Sequence, residues 1–213
     1  MPRPSRWNDI VDTAAEAFRR NGFAATSLEE IAAEVGMWKG SLYHYISSKE
    51  ELLFAVVREP AERILGEIEE LAATDLPASE QLRRAARSHV TVLEEHYVYA
   101  CVYLQEIAGR GRFENWAAMD RQYVDVLERI VQNGIDAGDF DRSLDARLTA
   151  LAFVGSFNWL THWYDPDGEL AAVTIGDRFT DLFLGGVLRR GPSGRSMPSQ
   201  EVEPTAGTTN GPS

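Results

Sequence analysis

With 213 residues, 44% hydrophobic and 25% charged, the chain has the length of one domain or two small ones and the composition of a soluble globular protein. Its single cysteine, Cys101, excludes an intramolecular disulfide framework and any multi-cysteine zinc site, and it suits a reducing cytoplasm. The net charge of −12 speaks against a nucleic-acid partner by bulk charge, but distribution counts for more: of 21 basic residues, 19 are arginines scattered along the chain, while Lys39 and Lys49 fall in one short segment.

The first six residues lead into a polar amphipathic stretch rather than an apolar signal core. Over 7–20, Ile10, Ala14 and Phe18 recur at four-residue spacing with Val11 and Ala15 beside them, which predicts a helix stopped at Asn21-Gly22. Thr26 with Glu29, or Ser27 with Glu30, has capping-box spacing, and Leu28, Ile31, Ala32 and Val35 then make one apolar stripe up to Gly36. After Met37 and Trp38 comes a short second helix over 39–45. Ser47 and Ser48 each precede a glutamate by three residues and open a long helix with Leu52, Leu53, Val56, Val57, Ile64, Leu65, Ile68 and Leu71 on its buried side. Pro60 should kink or break that helix, because it removes one backbone bond and crowds the preceding turn. Further helices are expected at 80–96, 98–108, 113–137, 144–164 and 169–189, punctuated by Gly109, Gly111, Gly138 and the Asp165-Pro166-Asp167-Gly168 turn. The most apolar run, 148–160, is interrupted by Gly155, Ser156 and Asn158 and is too short to span a bilayer. The tail 191–213 is rich in Pro, Gly, Ser and Thr and is expected to be disordered. These features make the fold class all-α and the expected location cytoplasmic, away from membranes.

A capped helix, a short glycine-containing turn and a second short helix over 27–45 read as a helix-turn-helix. Leu42 and Ile46 can face inward, leaving Lys39, Ser41, Tyr43, His44 and Tyr45 as outward donors and aromatics suited to phosphates and base edges. Gly40 removes a side chain where the backbone could approach DNA. Lys49 sits in the first turn of the next helix, where free N–H groups and a cation together suit a phosphate.

Ser27-Leu28-Glu29-Glu30-Ile31-Ala32-Ala33-Glu34-Val35-Gly36, followed by Lys39-Gly40-Ser41-Leu42-Tyr43-His44-Tyr45-Ile46-Ser47-Ser48-Lys49-Glu50-Glu51-Leu52-Leu53, resembles the N-terminal domain of TetR-family transcriptional regulators. The resemblance implies a homodimeric repressor on double-stranded DNA with a palindromic operator. It divides the chain into a three-helix DNA-binding domain (1–47), a ligand-binding and dimerisation domain whose first helix is the linker (48–190), and the tail (191–213). Carried onto this chain, Thr26, Lys39, Tyr43 and Lys49 would contact phosphates, and Trp38, Lys39, Ser41, His44 and Tyr45 would lie near base edges. With Ser27 and Gly40 these complete the candidate DNA-contacting set. Met37-Trp38, where a small polar residue often precedes the lysine, and Tyr45, often histidine, depart from the family pattern and bear on which bases are read.

In the second half, aromatics concentrate among polar residues, the composition of a small-molecule pocket. Most of the rings serve the core; the interleaved polar residues are more telling, because a buried polar group needs a partner that a ligand can supply. The candidate ligand contacts are Tyr99, Tyr103, Gln105, Glu106, Arg110, Trp116, Tyr123, Asn158 and His162. Gly155-Ser156-Phe157-Asn158-Trp159-Leu160, Trp163-Tyr164-Asp165-Pro166-Asp167-Gly168-Glu169-Leu170 and Phe183-Leu184-Gly185-Gly186-Val187 are similar to TetR-family members that respond to acyl-CoA thioesters. That resemblance implies an acyl-CoA effector of lipid or aromatic-acid catabolism, with Arg87, Arg110 or Arg121 available to its phosphates. The alternative is a regulator of efflux or another pathway that senses a different hydrophobic ligand. The last two helices are the expected dimer interface. No nucleophile elbow, phosphate loop or HExxH sequence is present, so an enzyme is not expected. His89, His96, Cys101 and Glu106 lack the tight spacing of a zinc site, so neither metal nor cofactor is expected; His89 and His96 read as interior histidines.

Overall fold

Ile10, Val11, Ala14, Ala15 and Phe18 fall on the buried face of α1 (Arg6–Asn21), and Gly22, at φ +77°, ends it in the left-handed conformation that glycine adopts without strain. The computed structural model describes residues 6–106 and 114–187, with side chains from 118 onward in the second span. Of the two possible capping boxes, Ser27 and Glu30 form the real one. The Glu30 N–H donates to Ser27 Oγ at 3.2 Å and the Ser27 N–H donates to Glu30 Oε2 at 2.8 Å, opening α2 (Leu28–Glu34). Gly36, at φ +73°, reverses the chain into α3 (Lys39–Leu42).

The helix expected to reach Tyr45 is only four residues long. Its end tightens into three-residue bonds, His44 N–H to Ser41 O at 3.2 Å and Tyr45 N–H to Leu42 O at 2.9 Å, before Ser48 caps the next element. That element, α4 (Lys49–Ala72), is one continuous helix through Pro60, so of the expected kink or break the break does not occur. One lost backbone bond is outweighed by burial on both sides of it: Leu52, Leu53, Val56 and Val57 pack before the proline, Ile68 after it, and Pro60 is itself buried.

The remainder comprises α5 (Ala78–Glu95), α6 (Tyr97–Glu106), α7 (Glu114–Ala137), α8 (Ala146–Asn158) continued by a 3₁₀ turn (Trp159–His162), and α9 (Ala172–Val187). Among the described residues there is no strand. Two hydrophobic cores form among the described residues. The first gathers Ile10, Phe18, Ile31, Leu42, Leu52, Leu53, Val56, Val57 and, from α6, Val102; the second gathers Ile68, Leu82, Leu93, Leu127, Phe140, Phe153, Phe157 and Leu184. Thus α4 enters both cores, and α6 contributes to the first while packing Tyr97 and Ala100 on the second. The tail 191–213 lies outside the described residues.

Candidate functional site

Leu42 and Ile46 are buried in the first core, so the rest of α3 and its following turn faces outward. Trp38 is 86% exposed, and Lys39, Gly40, Tyr43, His44 and Tyr45 are exposed beside the half-buried Ser41. A Cβ on Gly40 would meet nothing within 4 Å, so this stretch of backbone is open to a close approach. Lys39 Nζ lies 3.6 Å from Glu29 Oε2, an exposed pair that costs little to exchange for a phosphate. The Tyr45 ring stacks on Trp7, with centroids 6.5 Å apart and planes at 16°. Ser27 is exposed at the head of α2, but its hydroxyl belongs to the capping box, where the Ser27 N–H holds the Glu30 carboxyl below the usual carboxylate range.

Two expected phosphate contacts are differently employed. Thr26 is buried, with Oγ1 2.8 Å from Gly22 O and 3.2 Å from Ala17 O. Lys49 folds back across the α1–α2 turn. Its ammonium donates to Phe23 O at 2.7 Å and Thr26 O at 2.8 Å and stands 4.4 Å above the Phe23 ring. These carbonyls fall outside any helix ladder and need donors, and the nearest cation supplies them. Only tertiary folding brings Lys49 to this turn.

Residues expected in the ligand site divide sharply. Glu106 Oε1 instead accepts the Phe23 N–H at 3.1 Å, and the Tyr99 hydroxyl donates to Asp12 Oδ1, so both tie α6 to α1 and its turn. Gln105 is exposed; His162 is exposed too and stacks on Trp159 at 4.0 Å. Tyr99, Gln105 and Glu106 stand away from the cavity because successive residues of a short helix point to different sides, and only one side of α6 faces inward; His162 ends the 3₁₀ turn that follows α8, outside the cavity wall. Arg87 is exposed and paired with Asp177 at 2.6 and 3.0 Å, and Arg121 is exposed on α7. Arg110 and the Trp116 side chain lie outside the described residues.

Tyr103, Tyr123 and Asn158 do come together, at an apolar cavity of about 90 Å³ lined by residues of α4, α5, α6, α7 and α8. Val57, Pro60, Ile64 and Leu65 supply its α4 wall, and Ala100, Tyr103 and Leu104 its α6 wall. Two polar residues of the wall were outside the expected set. Asp120 accepts the Tyr103 hydroxyl. His89 places Nδ1 3.1 Å from the Tyr123 hydroxyl; burial pushes its imidazole pKa down to about 4, against an opposing hydrogen bond from Asn158. The signal was available, since His89 lies one turn before Leu93 on the buried face of α5 and Asp120 nearly one turn before Tyr123 on α7. Burial likewise pushes the Tyr103 and Tyr123 hydroxyls upward. No buried side-chain nitrogen or oxygen among the described residues lacks a partner, so these groups satisfy one another rather than requiring a ligand. Among the described residues no three His, Cys, Asp or Glu side chains gather as a metal site, and no helix is long and apolar enough to cross a membrane.

α8 with its 3₁₀ turn and α9 leave apolar side chains uncovered, with Leu148 65%, Trp159 60% and Leu182 77% exposed and Gly155, Gly185 and Gly186 interspersed.

Residues 10–56 match the family model of bacterial regulatory proteins of the tetR family, and residues 75–187 match that of the tetracyclin repressor-like C-terminal domain. Over 191 residues the chain is 27% identical to the HTH-type transcriptional repressor KstR2 of Mycobacterium tuberculosis, spanning 88% of this chain and 95% of that protein. The solved structure of the ketosteroid transcriptional regulator KstR2 of Mycobacterium tuberculosis superposes with a TM-score of 0.80 at 25% identity, covering 87% of this chain and 96% of that one. AibR, solved in complex with isovaleryl coenzyme A and operator DNA, superposes with a TM-score of 0.71 at 30% identity, covering 84% and 97%.

Proposed function

The chain belongs to the TetR family of bacterial regulatory proteins and is a transcription regulator rather than an enzyme, and from that premise we propose that it is a repressor released from DNA by a small acyl-CoA thioester. Residues 1–47 form the DNA-binding part, 48–190 the ligand-binding and dimerisation part. Two copies, joined through α8 and α9, present two α3 segments to the half-sites of a palindrome. Lys39 and Tyr43 serve phosphates, while Trp38, Ser41, His44 and Tyr45 stand at the base edges.

The observation that carries this reading is the position of the cavity. Its walls include α4 and α6, and these same helices enter the core of the DNA-binding part. An occupant that spreads them acts on the α1–α2 turn without touching it. Release then requires that the ligand favour the non-binding state by a coupling of about 1–3 kcal/mol. Similarity to AibR, whose structure holds isovaleryl coenzyme A and operator DNA, supports a thioester with a short or branched tail.

The test is a fluorescence-anisotropy titration against the DNA upstream of the protein's own gene, at two salt concentrations, with and without isovaleryl-CoA and longer acyl-CoA thioesters. Tight, salt-sensitive binding that one thioester reverses is the expected result. Binding that no thioester touches would overturn the effector assignment and leave the DNA-binding one standing.

A further inference from the structure

The cavity wall carries polar groups where an apolar chain would need none. His89 comes from α5, Tyr123 from α7 and Asn158 from α8, yet they converge on one spot: Nδ1 of His89 lies 3.1 Å from the Tyr123 hydroxyl and Asn158 bonds the imidazole. Hydrophobic side chains would join these three helices at lower desolvation cost, so packing alone does not call for this choice. Nor is the triad's capacity used up by its internal bonds. A phenol offers one donor and two lone pairs, an amide two donors and an acceptor, an imidazole one of each when neutral. Hydrogen-bonding sites of both kinds therefore remain beside the cavity.

The charge around this spot is as informative as its polarity. No lysine or arginine is among the described lining residues, and the one carboxylate there, Asp120, repels an anion. His89 supplies no cation at neutral pH, because burial holds it neutral. A carboxylate or phosphate at the buried end of a ligand would be unpaired, whereas a neutral oxygen would find both a donor and an acceptor.

We propose that His89, Tyr123 and Asn158 are the selective end of the effector cavity, reading one uncharged oxygen, a keto or hydroxyl group, on the tail of an otherwise apolar ligand. This rests on the reading of the cavity as the effector site.

The experiment is isothermal titration of the full-length protein with three thioesters of equal length: hexanoyl-CoA, 5-oxohexanoyl-CoA and adipoyl-CoA. The keto tail should bind about tenfold more tightly than the hydrocarbon, the span of one neutral hydrogen bond, and the carboxylate tail most weakly. Tyr123→Phe, which removes a single oxygen and conserves the ring, and Asn158→Ala, a separate variant, should each bring the keto-to-hydrocarbon ratio towards one. A ratio near one in the native protein, or adipoyl-CoA binding tightest, would overturn the proposal. In parallel, cyclohexanone and cyclohexane are compared by saturation-transfer NMR, without any coenzyme A. If the ketone binds in a Tyr123-dependent way while no thioester binds, the oxygen-reading subsite stands and the thioester assignment falls. If thioesters release DNA with no preference among them, the assignment stands and the subsite falls. If neither thioesters nor the ketone bind, the subsite is overturned.

Discussion

Phe23 is gripped at both ends of its own peptide units: its N–H by Glu106 of α6, its carbonyl by Lys49 of α4, with the Lys49 ammonium also over its ring. This gives Lys49 a structural task that can be told apart from phosphate binding. Lys49→Met should lower stability by about 1–2 kcal/mol, the cost of leaving the turn's carbonyls without their donor. The slope of DNA affinity against salt should stay unchanged, whereas a lost phosphate contact would flatten it by about one. Thermal unfolding and a salt series measure the two effects. His89 sets a second prediction. Its imidazole titrates near 6.5 when unfolded and about 4 in place, so protons favour the unfolded chain. The stability it carries is whole above pH 6.5 and drains as pH falls towards 4, by about 3 kcal/mol. The carboxyls held low by hydrogen bonds, Glu30, Glu51 and Asp177, lose their contribution only below about pH 4.5, so the interval above that belongs to His89. His89→Leu should flatten the stability curve between pH 6.5 and 4.5 in denaturant titrations; an unchanged slope there would count against a neutral buried imidazole.

At the scale of elements, the packing of α7 turns on one glycine. A Cβ at Gly134 would lie 2.4 Å from the Phe140 ring and 2.8 Å from Ala78 Cβ, so the turn after α7 can fold back onto the helix only without a side chain there. Gly134→Ala should destabilise the protein by about 1–3 kcal/mol through forced displacement of Phe140. Gly66 on α4 is the contrast, with nothing within 4 Å of its Cβ position. Gly66→Ala should raise helix stability by about 0.5–1 kcal/mol. Melting curves of the two variants, measured side by side, check both signs. The continuity of α4 through Pro60 follows the same logic, because an element survives a local defect when burial on both sides of it is large.

At the scale of the whole molecule, the described residues make two cores threaded by α4 and laced together again by α6. Its uncovered apolar face on α8 and α9 is the expected meeting place of two copies, since side chains such as Leu182 and Trp159 are unusual on the surface of a monomer. Leu182→Arg should shift the protein to a monomer in light scattering and abolish tight binding to a two-half-site DNA. A dimer that persists would move the interface elsewhere. The α5–α9 contact carries two ion pairs, Arg83–Asp181 at 2.7 Å and Arg87–Asp177 at 2.6 Å, so in the free chain the Arg87 guanidinium is held by a carboxylate of α9.

Local signals settled the helical class, the capped helix-turn-helix and element positions to within a few residues, because caps, turn glycines and apolar spacing act over one or two helical turns. The same locality explains the outward face of α3, where buried Leu42 and Ile46 leave the intervening side chains no other direction. Which polar groups meet was decided by tertiary structure alone. Lys49 reaches a turn 23 residues upstream of it, Glu106 one 83 residues away, and His89 finds Tyr123 across 34. Such pairings depend on how whole helices rotate and dock, driven by their apolar faces, and spacing along a single helix carries no record of the partner that docking brings.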